Sequence, residues 1–129
     1  MSGTRRTLPP STATGPTLGC ERLHEGEFHK RLAAQPGLTL VMFAQPGCGA
    51  CRRAEAVLPG WLAGAVQRLV HVDAAAQAAL AREFEVFHLP ALHLYKDGQY
   101  HAPLNTEMTA TAVRAAVAVA AAAPAREAP

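Results

Sequence analysis

Two cysteines three positions apart, Cys48 and Cys51, are the residues of this chain best suited to chemistry. A thiolate is a nucleophile, and a second thiol close by can attack a disulfide formed at the first. The stretch Cys48-Gly49-Ala50-Cys51 follows an apolar run and the turn residues Gln45-Pro46-Gly47. That order predicts a strand, a turn and a helix starting at Cys48. A helix N-terminus carries unpaired N–H groups and the positive end of the macrodipole, so it favours an anion. Cys48 is then the thiol whose anion is stabilised. Cys51, about one turn on, is placed to attack a mixed disulfide at Cys48. Gly49 and Ala50 are small and leave room for a partner's sulfur, while Arg52 and Arg53 add positive charge.

Other chemistries compete for the same pair. A CxxC is half of many zinc sites, but a second ligand pair at suitable spacing is missing, and His71, His88, His93 and His101 are scattered. No metal and no cofactor is therefore expected, although a metal- or cluster-binding CxxC dimer stays open. Free cysteine also packs well in a core, which the strand–turn–helix setting argues against. The third cysteine, Cys20, lies ahead of the first helix and reads as a small buried residue or an idle thiol, with a regulatory thiol the lesser alternative. An odd count at uneven spacing is not a disulfide framework.

The elements that must hold the pair follow from periodicity and turn chemistry. Glu27 to Ala34 reads as a short helix, with Leu23, Phe28 and Leu32 inward, ended by Gln35-Pro36-Gly37. Leu38 to Ala44 is an apolar run of central-strand type. The helix from Cys48 carries Cys51, Ala54, Val57, Leu58, Trp61 and Leu62 at helical spacing, with a kink or break expected at Pro59-Gly60. Arg68 to Asp73 reads as a second strand, and the Ala-rich Ala74 to Phe84 as a helix. Ala91 to Lys96 reads as a third strand, Asp97-Gly98 as a hairpin turn, and Gln99 to Ala102 as its return strand. Thr106 is placed to cap a last helix running to about Ala123. A βαβ unit followed by an antiparallel hairpin gives an α/β fold, a central mixed sheet with helices on both faces.

Composition narrows the function classes. A chain of 129 residues suits one domain that buries its own core. Residues 1–17 are rich in Ser, Thr, Pro and Gly and read as a disordered lead-in, 18–123 as the domain and 124–129 as a flexible tail. Net charge is +2 with no basic cluster interleaved with aromatics, so nucleic acid is not an expected partner. No apolar stretch approaches the roughly 18 residues of a membrane span. Arg5 and Arg6 are followed by Pro9-Pro10-Ser11-Thr12 rather than an apolar segment, so the expected location is a reducing cytoplasm.

From about Gly19 to Ala122 the sequence resembles the thioredoxin family. The resemblance is carried by Leu40-Val41-Met42-Phe43-Ala44, the CGAC of Cys48 to Cys51, the segment Phe84 to Ala91 ending in Leu89-Pro90-Ala91, and Leu94-Tyr95-Lys96-Asp97-Gly98. It implies a thioredoxin-like fold and a redox-active dithiol that reduces protein disulfides, with a part in cell redox homeostasis. Cys48 is by resemblance the attacking thiol and Cys51 the resolving thiol. Pro90 is the cis-proline facing the dithiol, and Leu89 offers its backbone to an extended client, with Gly47, Gly49 and Ala50 completing the substrate surface. The implied partners are disulfide-containing clients and a thioredoxin reductase or small-thiol electron donor, acting on a monomer. Three residues depart from the family pattern. Gly47 stands where the family has Trp, leaving one wall bare. Ala50 stands for Pro, which by analogy makes the pair less reducing. Met42 stands for a buried Asp that helps move the resolving thiol's proton. An intact dithiol points to an enzyme, and the missing Trp and Asp to an adapter that holds partners with little turnover. His88, two before Pro90, is a loop histidine or a residue that tunes the dithiol.

Overall fold

The computed structural model describes residues 18–129, so the expected lead-in lies outside the described residues. The elements run β1 (Cys20–Arg22), α1 (Phe28–Ala33), β2 (Leu38–Ala44), α2 (Gly49–Trp61), β3 (Arg68–Asp73), α3 (Ala78–Glu83), β4 (Ala91–Lys96), β5 (Gln99–Leu104) and α4 (Ala110–Ala122). They form one five-stranded mixed sheet in the order β1-β3-β2-β4-β5. β3 runs parallel to both β1 and β2, whereas β4 is antiparallel to β2 and to β5. The expected mixed sheet with covered faces is what forms.

β2 is central because its side chains are apolar on both faces. Leu40, Met42 and Ala44 pack with Ala54 and Leu58 of α2 and Val113 and Val117 of α4. Val41 and Phe43 point the other way, among Phe28 and Leu32 of α1 and Leu80 of α3, with Phe84 just beyond that helix. Alternation by strand period thus splits the core into two layers. The β4–β5 turn has Asp97 at φ +51° and Gly98 at φ +84°, the positive angles that a two-residue hairpin demands. Asp97 also locks that turn to the α1–β2 connection: Gly37 N–H donates to Asp97 Oδ1, and Asp97 N–H donates to the Gly37 carbonyl, both at 2.8 Å.

Several expectations are corrected. Of the kink or break expected at Pro59-Gly60, the break does not form: α2 runs on to Trp61. Proline there removes one helical N–H, while Leu58 and Leu62 on either side are fully buried and hold the turn. The last carbonyls also find a donor, since Arg114 of α4 donates to the Trp61 carbonyl at 2.7 Å. α3 starts at Ala78 rather than Ala74, because Asp73 Oδ1 accepts the N–H groups of Ala75 and Ala76 and holds that stretch in turns. The cap of α4 is Thr109, whose Oγ1 accepts from Ala112 N–H at 3.1 Å, whereas Thr106 donates to the Glu107 carbonyl. β5 extends through Pro103 to Leu104, which an edge strand tolerates. β1 is a strand the sequence reading missed, and Cys20 on it is exposed rather than buried. Residues 124–129 have no regular structure and are exposed, and Arg126 N–H donates to the His101 carbonyl at 2.6 Å.

Candidate functional site

Three connections leave the sheet at one end. Phe43 pairs with Ala91 in antiparallel register, so the turn after β2 and the Leu89–Pro90 turn before β4 lie side by side. Ala44 pairs with Asp73 in parallel register, which brings the end of β3 to the same place. Gly47 in the first turn has φ +84°, a left-handed angle that a glycine adopts without strain. Gly47 therefore lets the chain turn into α2.

Cys48 is the N-cap of α2, in extended conformation, and its Sγ accepts the Cys51 N–H at 3.1 Å. The two cysteines are closed as a disulfide with their Cα atoms 5.2 Å apart. Cys48 is half-buried and Cys51 is fully buried. Gly47, Gly49 and Ala50 are exposed around them. The outer cysteine of the pair is thus partly accessible and the inner one is not. The Leu89–Pro90 peptide bond is cis, and both residues are half-buried. Leu89 and Cys48 both pack against the aliphatic cluster that contains Cys51. His88 is exposed on its loop, and its neighbour Phe87 is the most exposed large apolar side chain described, at 85 %.

A cavity of about 240 Å³ opens beside Cys48, lined by the 45–47 turn and by Arg22, Arg52, Glu55, His71 and Asp73. The sequence reading assigned no role to Arg22, Glu55, His71 or Asp73. Glu55 was within reach, because it follows Cys51 by four and Cys48 by seven and so shares their helix face. Arg22 and His71 meet through the parallel β1–β3 pairing, which joins residues 49 positions apart and leaves no local signal. Arg22 Nη1 donates to His71 Nδ1 at 3.0 Å. Arginine only donates, so Nδ1 is the bare nitrogen and the ring proton sits on Nε2. That nitrogen faces Glu55 Oε2 at 3.6 Å, and Arg22 Nη2 lies 3.7 Å from Glu55 Oε1. Burial pushes the His71 pKa down, as does the Arg22 charge, with Glu55 opposing them. Partial desolvation by its neighbours raises the pKa of the otherwise exposed Cys20 thiol on β1, with the Arg22 charge opposing it and Glu55 adding to it. Among the described residues, no group of three or more His, Cys, Asp or Glu could hold a metal ion. No helix described is long and apolar enough to cross a membrane.

The fold and its helix-start disulfide define a thiol–disulfide protein on a thioredoxin-like scaffold. A family model described as Thioredoxin matches residues 19–119, and the chain belongs to the thioredoxin family. It is similar to protein disulfide-isomerase A3 of Gallus gallus, 31 % identical over 96 residues, covering 70 % of this chain and 18 % of that protein. It is also similar to thioredoxin X, chloroplastic, of Arabidopsis thaliana, 31 % identical over 102 residues, covering 76 % of this chain and 55 % of that one. The chain therefore spans under a fifth of the first relative and about half of the second. Mitochondrial thioredoxin 3 from Saccharomyces cerevisiae, in its oxidized form, superposes with a TM-score of 0.59 at 25 % identity, covering 67 % of this chain and 82 % of that one.

Proposed function

We propose that this chain is a thiol–disulfide oxidoreductase that reduces disulfides of client proteins through Cys48 and Cys51. The observation that carries it is the disulfide across the first turn of α2, with an accessible outer sulfur and a buried inner one. The Cys48 thiolate attacks a client disulfide; one client sulfur leaves as a thiolate, and a mixed disulfide forms. Cys51 then attacks Cys48 Sγ, the second client thiolate leaves, and the dithiol is left oxidised. Gly47, Gly49 and Ala50 form the open rim over which a client chain lies, and the Leu89–Pro90 turn offers backbone to it as an added strand. A thioredoxin reductase or a small thiol returns the two electrons. Such a cycle suits a reducing cytoplasm and a monomer whose rim is free, and contributes to redox homeostasis there.

The test is reduction of a disulfide-bonded protein such as insulin with dithiothreitol as donor. Wild type turns over and Cys48→Ser does not; equal rates would remove Cys48 from the role. Cys51→Ser accumulates mixed disulfides with clients on non-reducing gels, because the internal attack that releases them is gone. Binding of clients by wild type without turnover would favour the adapter reading, for which the bare Gly47 wall is the supporting feature.

A further inference from the structure

Resolution of the mixed disulfide needs a proton acceptor. Cys51 attacks as a thiolate, so its proton must leave first. Cys51 is fully buried, and the side chains that share its cluster from the sheet are apolar: Leu40, Met42 and Ala44 of β2, Leu69 of β3, and three leucines of β4 and β5. The cavity beside Cys48 gathers the titratable side chains Arg22, Arg52, Glu55, His71 and Asp73. Glu55 lines it one turn beyond Cys51 on the same helix face, where side chains four apart have Cβ atoms about 5–6 Å apart.

We propose that Glu55 takes the Cys51 proton through the cavity beside Cys48, and that His71 and Arg22 are the positioning residues that hold its carboxylate there. The proposal rests on the oxidoreductase reading. Arg22 and His71 each face one oxygen of Glu55, and the Arg22–His71 bond fixes which ring nitrogen carries the proton turned to it. His71 is only 4 % exposed, so the ring cannot swing out to water. The carboxylate is thereby kept at the cavity wall. At about 240 Å³ and with polar walls, the cavity has room for bridging water.

The step balances. In the mixed disulfide, Cys51–SH gives its proton through water to the Glu55 carboxylate. The Cys51 thiolate attacks Cys48 Sγ, the Cys48–Cys51 bond forms and the client–Cys48 bond breaks. The client sulfur leaves with the electron pair and is protonated from Glu55 or solvent. The client disulfide is the oxidant and the dithiol the reductant. The charged and titratable groups around Glu55 are Cys20 and Arg22 from β1, His71 and Asp73 from β3, and Arg52 from α2 itself.

An aromatic disulfide reagent mixed with fully reduced Cys20→Ser protein, the wild-type reference here because it lacks the exposed third thiol, separates the two steps in a stopped-flow instrument. One coloured thiolate is released when Cys48 attacks, and a second when Cys51 resolves. Glu55→Gln is expected to leave the first phase little changed. It should slow the second about tenfold or more at pH 7, with the deficit closing above about pH 9, where a thiol ionises without help. Glu55→Asp should restore part of the rate, and His71→Gln should move the pH profile of the second phase alone. Glu55→Gln and His71→Gln proteins that melt like wild type yet show its second phase at every pH would overturn the proposal. A wild type that shows only the first phase would instead sink the oxidoreductase reading.

Discussion

The two faces of the sheet are built from different materials. Under α2 and α4, helices of 13 residues each, the core is aliphatic: leucines, valines, alanines, Met42 and Cys51. Under α1 and α3, six residues each, leucines and valines are joined by a cluster of aromatic rings. Phe28 meets Phe84 edge-on at 5.5 Å, Phe43 lies 5.1 Å from Phe84, and His93 and Tyr100 extend the set. Large rings bury much surface per residue, so short helices suffice to cover that face. The aliphatic face is covered by the two longer helices, and the N-terminus of one of them, α2, carries the disulfide. The disulfide thus lies on the side of β2 faced by Leu40, Met42 and Ala44, and the rings lie on the side faced by Phe43.

The sharpest way to break this division is to disable each side separately. Cys48→Ser should abolish disulfide reduction while the reduced protein melts near the wild-type temperature. Phe43→Ala, a fully buried ring at the centre of the aromatic face, should cost about 3–5 kcal/mol in a denaturant melt. Its reductase rate, measured where it remains folded, should stay close to wild type. A reversed pattern, with stability lost in the first variant and catalysis in the second, would show the faces to be coupled.

What was legible in the sequence follows the same line. β2, β3 and β4 take the bounds that their apolar runs and flanking turn residues imply, and the dithiol is at the start of α2 as its Gln45-Pro46-Gly47 turn indicates. These signals are local. β1 is three polar-to-mixed residues whose strand character comes from pairing with β3, so nothing in Cys20-Glu21-Arg22 announces it. The start of α3 was hidden because helix propensity in an Ala-rich stretch lost to the Asp73 side chain. The Arg22–His71–Glu55 group beside Cys48 comes from three elements and appears only when they assemble.

The aromatic face should also set the response to acid. His93 is buried among rings, with Nδ1 2.8 Å from the Tyr100 hydroxyl, and burial lowers its pKa from 6.5 to about 4. The unfolded chain then binds a proton that the folded one resists. The contribution of a neutral His93 is intact above about pH 6.5, falls away as pH drops toward 4, and levels off below that. The gap corresponds to about 3 kcal/mol. Denaturant melts between pH 7 and 4 should show His93→Gln losing less stability than wild type over that interval. Parallel curves would mean the ring is protonated or hydrated in the folded state.

The smallest effect tests the opposite face at Met42. This side chain is fully buried in the cluster that holds Cys51. Met42→Asp puts a carboxyl group where a thioether packs, at a cost of about 1–3 kcal/mol if it finds no partner. It also puts a possible proton acceptor into the core beside the resolving thiol. If Glu55 already serves that need from the cavity, the substitution should add little to the second stopped-flow phase of wild type. In the Glu55→Gln background it should restore much of the missing rate, because the proton then has one acceptor instead of none. Acceleration of equal size in both backgrounds would show that the two carboxyl groups act independently and that proton transfer limits resolution even with Glu55 present. No acceleration in either would mean that proton loss from Cys51 is not the slow event. The aliphatic face would then contribute to resolution only through the geometry of the helix start.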